Sequence, residues 1–370
     1  MTNGDFMKFS LKLFNVFGIP IELHISFLLL ILVIYIAAFL GYIPWYLALL
    51  ITLLFVTVVI HELAHSYVAQ KYGVTIDRIV LLPIGGVSAM EEIPKDPSQE
   101  LKIAIAGPLT NILIALFCFI ALLIIGGTGT LSVSSLFITY TPTADLTLFL
   151  SNFLGVNLVL GVFNLLPAFP MDGGRVLRAY LARNRSYVDA TKTAATIGKQ
   201  FAIIMAIAGI FLNFFLILIA LFIYMGAEQE YQAILVSSML EGFYVKDIMT
   251  KDVHTLTPDT TVSEALYTMF QQKHMGYPVK EQGTLVGIIT FDDISKIPEN
   301  KRNIPIKDIM TKKLILANPN DPVADTFEKI NRKGIGRLPV VKNNELVGIV
   351  SKTDIIKTLE MLDVKNKLQR

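Results

Sequence analysis

The stretch Trp45–Val68, WYLALLITLLFVTVVIHELAHSYV, decides how this chain is read. Its only charged or imidazole side chains are His61, Glu62 and His65, near its C-terminal end. An apolar run of this length matches the ~20 residues that cross a bilayer as a helix. A charged side chain at mid-membrane costs about 3 kcal/mol on insertion scales. Three such groups within one and a half turns therefore need a compensating partner, and a divalent cation supplies one. Histidines at i and i+4 lie on one helix face, as two ligands of one ion must. Glu62, between them, can take a proton from a water that the ion activates. The alternative keeps two imidazoles and a carboxylate neutral and mutually paired in lipid, which the same burial cost disfavours.

Composition agrees with a membrane setting. Of 370 residues, 53% are hydrophobic and only 17% charged, against about 25% charged in soluble domains. The net charge of +2 gives no basis for a nucleic-acid partner. The single cysteine, Cys118, excludes a disulfide framework and cysteine-based zinc sites, and reads as a small core residue. The run Leu23–Leu40 is too long for the core of a cleavable signal and is taken as a retained span.

Outward from the HELAH helix, apolar spans are expected at 22–41, 46–70, 101–126 and 148–168. The block 201–225 is expected to hold two short helices broken near Gly209 and Asn213, which gives six spans. Loops rich in Lys and Arg face the cytoplasm. Segments 71–102 and 173–199 are rich in both, whereas 42–44 and 127–147 have neither. Both termini are therefore expected in the cytoplasm of a multi-pass protein of the cell membrane, and an even number of spans agrees. Alternation in Phe9–Phe14 reads as a short strand or an interfacial segment. Residues 74–90, β-branched and broken by Pro83, Gly85 and Gly86, read as a hairpin or re-entrant strand pair, or as a plain connecting loop. An open strand edge there would receive an extended peptide by strand addition.

A catalytic zinc site takes three protein ligands and keeps one position open. Asp172, in Asn164-Leu-Leu-Pro-Ala-Phe-Pro-Met-Asp-Gly-Gly174, is the candidate third. It follows the fourth span at the depth where His61 and His65 end the second, and Pro167 and Pro170 break the helix before it. An N-cap or turn aspartate at the bilayer surface is the competing reading.

HELAH, then Gly107-Pro-Leu-Thr-Asn111, then Asn164-x-x-Pro-x-x-Pro-x-Asp-Gly-Gly174 together resemble the site-2 protease family of intramembrane zinc metalloproteases. The resemblance covers roughly residues 8–230. It implies one zinc ion held by His61, His65 and Asp172, Glu62 as general base, and membrane-spanning or membrane-tethered protein substrates. Asn164, two turns before Asp172, hydrogen-bonds either the substrate or a neighbouring helix. Asn111 has the same two readings, the second favoured, and Gly107-Pro108 reads as a kink or close-packing point.

The C-terminal part is a duplication. Asp247-Ile-Met-Thr250 recurs as Asp308-Ile-Met-Thr311, and Leu285–Thr290 as Leu346–Ser351, with one constant offset of 61 residues. Each copy reads strand, helix, strand, strand, helix, a soluble α+β unit. The copies, 243–298 and 304–362 after a protease domain of 1–230, resemble a tandem pair of CBS domains. The resemblance implies an adenine nucleotide such as ATP or AMP as regulatory ligand, at Thr290, Asp293, Ser351 and Asp354. It also implies pairing of two chains into a homodimer through the module. Capping of a helix start is the plain reading of the same four residues. Phe291 would stack on a base, but Lys352 replaces it in the second copy. A CBS-regulated ion transporter and a silent membrane scaffold are the alternative functions; the intact Glu62 between spaced histidines separates the protease from both.

Overall fold

The computed structural model describes residues 10–83, 85–90, 94–126, 129 and 145–368. These group into two compact units, one ending at Leu235 and one beginning at Val236.

The first unit opens with strands β1 (Ser10–Val16) and β2 (Ile19–His24), joined by a turn at Phe17-Gly18. Helices α1 (Ile25–Phe39) and α2 (Trp45–Gln70) follow, then the hairpin β3 (Ile76–Leu82) and β4 (Gly85–Met90). The strands form one sheet in the order β1-β2-β3-β4, with β2 parallel to β3 and Ile21 opposite Ile79. Both expected strand regions are present, although Phe9 lies outside the described residues. Buried Ile19, Val74, Ile76 and Ile79 close the sheet against Ala69 of α2 and against Ile103.

Four long helices complete the unit: α3 (Pro97–Ile124), α4 (Leu146–Asn164), and, after the short α5 (Asp172–Leu181), α6 (Tyr187–Phe211) and α7 (Phe214–Met239). Their starts are chemically marked. Asp96, Asp145 and Ser186 accept the first free N–H groups of α3, α4 and α6. Helices α2, α3, α4, α6 and α7 are long and apolar enough to cross a bilayer. Their outward faces carry Phe117, Ile204, Ile207, Phe211, Phe215 and Phe222 exposed, the surface expected toward hydrocarbon rather than water.

Two expected spans differ in extent. The first is shorter than 22–41, because β2 takes the residues up to His24. His24 then caps α1 by accepting the Ser26 N–H at 3.2 Å. The remaining helix, 15 residues long, extends about 22 Å, less than the ~30 Å hydrocarbon thickness. The expected break near Asn213 is present: helix α6 ends at Phe211, and the Asn213 side chain accepts the Phe215 N–H at 2.9 Å. The helices on either side are full-length, 25 and 26 residues, rather than two short ones inside 201–225.

The second unit contains the duplication. The first copy has α9 (Val262–Gln272), preceded by α8 (Val245–Ile248), then β5 (Gly276–Glu281), β6 (Thr284–Thr290) and α10 (Phe291–Ser295). The second has α11 (Val323–Lys333), β7 (Arg337–Lys342), β8 (Glu345–Ser351) and α12 (Lys352–Leu368). The copies are intertwined. Thr250 bridges to Ile349 on β8, and its counterpart Thr311 bridges to Ile288 on β6. Leu240 and Val245 are buried in the core of the second copy, with Val323, Leu338 and Val350. Ile306 is buried in the core of the first, with Val262, Val279 and Ile289. Each core is thus completed by the segment that leads into the other copy.

Candidate metal centre

His61 and His65 sit on α2, buried, one turn apart. Asp172 is the first residue of α5, delivered by a loop whose Ala168 and Phe169 are fully buried. Gly173 lets that turn close: a Cβ there would lie 2.2 Å from the Leu166 carbonyl oxygen. The three residues meet. Asp172 Oδ2 lies 3.2 Å from both His61 Nε2 and His65 Nε2. The two nitrogens are 3.1 Å apart.

The outer nitrogens decide what this cluster is. His61 Nδ1 faces Asn111 Oδ1 at 2.6 Å, and His65 Nδ1 faces the Ile103 carbonyl oxygen at 2.7 Å. Both partners only accept, so each Nδ1 carries its proton outward. Both Nε2 lone pairs then point inward, at one another and at a carboxylate. Three lone-pair atoms converging in this way are an arrangement that a cation satisfies. A tetrahedral ion with bonds of about 2.05 Å separates its ligand atoms by about 3.3 Å. The donor set therefore fits zinc in kind and in spacing, and His61, His65 and Asp172 form the one candidate metal cluster among the described residues.

Two neighbours that the sequence did not mark for this role complete the site. Asn111, on α3, donates from Nδ2 to Asn157 Oδ1 on α4 at 3.1 Å, and Asn157 donates to the Phe153 carbonyl at 2.9 Å. Asn111 does bond between helices, as the favoured reading had it, but its oxygen is spent on a histidine. Such outer partners fix the tautomer and aim of a metal-binding imidazole. Gly107 faces the cluster directly. A Cβ at this position would lie 2.1 Å from His65 Nε2 and 2.6 Å from His61 Nε2. It keeps open the space that any side chain would fill. Their only signal in the sequence was the Gly-Pro-x-x-Asn block itself.

Glu62 lies on the adjoining side of α2, beneath strand β4. A Cβ on Gly86 would come within 2.7 Å of Glu62 Cγ, and Ser66 and Ser88 hydroxyls, 3.1 Å apart, tie helix to strand. β4 is last in the sheet order, and its outer edge pairs with no strand among the described residues. Asn164 is the half-buried last residue of α4, and its side chain makes no hydrogen bond among the described residues.

In the second unit the nucleotide candidates are occupied with each other. Thr290 Oγ1 donates to Asp293 Oδ2 at 2.6 Å, and Ser351 Oγ donates to Asp354 Oδ2 at 2.6 Å. Each pair caps the helix that follows its strand, α10 and α12. Phe291 packs on the first copy's core.

The sequence of residues 49–205 matches the model of peptidase family M50, and residues 245–300 and 306–360 each match the CBS domain. The zinc metalloprotease MJ0392 of Methanocaldococcus jannaschii is 43% identical over 367 residues, covering 98% of this chain and 100% of that protein. The solved site-2 protease from Methanocaldococcus jannaschii is 48% identical over 60% of this chain and 95% of its own, at a TM-score of 0.41. The solved CBS pair of protein MJ0100, in complex with 5′-methylthioadenosine and S-adenosyl-L-methionine, is 31% identical over 32% of this chain and 97% of its own, at a TM-score of 0.31. Identity sustained from one end of a zinc metalloprotease to the other, over a chain that gathers two imidazoles and a carboxylate among apolar helices, leaves one conclusion: this protein belongs to peptidase family M50, the site-2 proteases, as a membrane zinc metalloprotease with a CBS pair.

Proposed function

We propose that the protein is an endopeptidase cleaving membrane-spanning or membrane-tethered proteins, with His61, His65 and Asp172 as zinc ligands and Glu62 as general base. The observation that carries this is the convergence of His61 Nε2, His65 Nε2 and Asp172 Oδ2 within 3.1–3.2 Å while both Nδ1 protons are committed elsewhere. Zinc, when bound, acidifies water and polarises a scissile carbonyl. Glu62 takes the proton of the attacking water on its carboxylate and passes it to the leaving amine. A substrate helix hides its carbonyls in hydrogen bonds and must unwind first. The open edge of β4, lying over Glu62, suits an extended segment added as a further strand. Asn164 takes the role of a hydrogen-bond donor to that segment. The working division is a protease domain of residues 1–230 and CBS copies at 243–298 and 304–362. Termini and CBS module lie in the cytoplasm, where the positive loops point.

The CBS pair is read as a regulatory module for an adenine nucleotide, held through Thr290, Asp293, Ser351 and Asp354. Binding would replace the hydroxyl–carboxylate contacts within each cap. A ligand that prefers one arrangement shifts the population of active enzyme.

The test uses the full chain in liposomes with a single-span substrate. Wild type is expected to hold one zinc and to cleave; Glu62→Gln is expected to hold the zinc and not cleave. Cleavage surviving in Glu62→Gln removes the assigned base, and active protein without stoichiometric zinc removes the mechanism. Rates with and without AMP at fixed zinc test the module; unchanged rates alongside measured AMP binding retire the regulatory reading.

A further inference from the structure

We propose that Arg178 is a positioning residue that holds Asp172 against the two imidazoles. The inference rests on the reading of Asp172 as a zinc ligand. Asp172 stands at the first position of a ten-residue helix, α5. Helices this short are marginal on their own, and Gly173 and Gly174 weaken this one further. What keeps α5 in place must therefore come from outside it.

Arg178 supplies the tie. It is among the largest fully buried side chains, 2% exposed. Its Nε donates to Glu100 Oε1 at 2.7 Å, and its Nη1 donates to Glu230 Oε1 at 2.7 Å. The guanidinium also lies over the rings of Phe169, in the loop that delivers Asp172, and Tyr187, at 5.1 and 4.9 Å. The Tyr187 hydroxyl donates to the same Glu100 oxygen at 3.4 Å.

The position of Glu100 gives this arrangement its meaning. It stands in the first turn of α3, one turn before Ile103, whose carbonyl orients His65, two turns before Gly107 and three before Asn111, which orients His61. The Arg178–Glu100 pair thus fixes the helix that carries the carboxylate to the helix that aims both imidazoles. Glu230 adds α7, the helix whose last residues enter the CBS unit.

The pair is poorly built as a simple stabiliser. Glu100 is fully buried, and its second oxygen, Oε2, has no hydrogen-bond partner among the described residues. Buried ion pairs are often matched or exceeded by apolar residues of similar volume. A pair that leaves an oxygen orphaned is better explained by the geometry it enforces.

The experiment measures zinc affinity by chelator competition on the full chain, with the melting temperature of the zinc-free protein beside it. The variants are Asp172→Ala, Arg178→Met, Arg178→Lys and the double variant Arg178→Met/Asp172→Ala. Arg178→Met strands the buried Glu100 carboxylate and is expected to lower the zinc-free melting temperature, and in the folded protein to weaken zinc binding ten- to hundredfold, the usual range for supporting residues of a metal site. Arg178→Lys is expected to restore part of it. In the Asp172→Ala background Arg178→Met is expected to cost nothing more, because its effect passes through that carboxylate. An additive loss in the double variant, or unchanged affinity in Arg178→Met, overturns the positioning role. Unchanged affinity in Asp172→Ala overturns the ligand reading itself. If Arg178→Met does not fold, Glu230→Gln removes one arm of the clamp: a smaller loss, absent in the Asp172→Ala background, sustains the proposal, and no loss overturns it.

Discussion

Asn111 accepts the Nδ1 proton of His61 at 2.6 Å across the interface of α2 and α3. This one bond sets the tautomer and plane of the His61 ring, and Asn157 in turn sets the amide. Asn111→Leu removes the acceptor at similar volume. Zinc affinity is expected to fall ten- to hundredfold, read by chelator competition. Asn157→Leu acts one step further out and is expected to cost less.

Gly107→Ala tests whether the space beside the imidazoles is the ion's own. Alanine improves the α3 helix by about 1 kcal/mol, so the fold should hold. The added methyl would sit 2.1 Å from His65 Nε2. Elemental analysis of the purified variant is expected to show little or no zinc, with helix content preserved. Full zinc occupancy would mean that the imidazoles turn aside without cost.

Gly86→Ala addresses the proposed base and spares the proposed ligands. The new methyl would meet Glu62 Cγ at 2.7 Å and push the carboxylate off its line. A displacement near 1 Å in a reacting group costs about 100-fold in rate. The expected outcome is a lowered kcat at unchanged zinc affinity, a split that single-turnover kinetics on zinc-loaded enzyme would show.

Leu240 lies ahead of the first CBS copy, yet it is 1% exposed within the core of the second. Leu240→Ala is expected to destabilise the module by about 2–5 kcal/mol, the range for a buried leucine. Thermal unfolding of the full chain followed by a probe in the second copy would register it. No change would mean that the segment before the repeat is only a linker.

Much of the site was legible because its chemistry is local. The i, i+4 spacing of His61 and His65 places both rings on one face of any helix, and Glu62 follows from the same turn. The apolar runs announced the spanning helices, and Asn213 announced the break between the last two. The constant 61-residue offset announced the duplication. Each of these is a property of covalent spacing or of side chains counted along one element.

Sequence alone therefore determined that two imidazoles and a carboxylate lie in an apolar helix, that more such helices surround it, and that a duplicated unit follows. Only the tertiary structure decided that Asp172 meets those imidazoles, that Gly107 clears their space, and that Asn111 and Ile103 turn their lone pairs inward. It also decided that β2 lies parallel to β3, that Arg178 joins Glu100 to Glu230, and that the two copies exchange their leading segments. The reason is physical. These contacts join residues 23 to 111 positions apart, and they depend on how elements cross and which small residues let backbones approach. Neither is written in the pattern of any single segment.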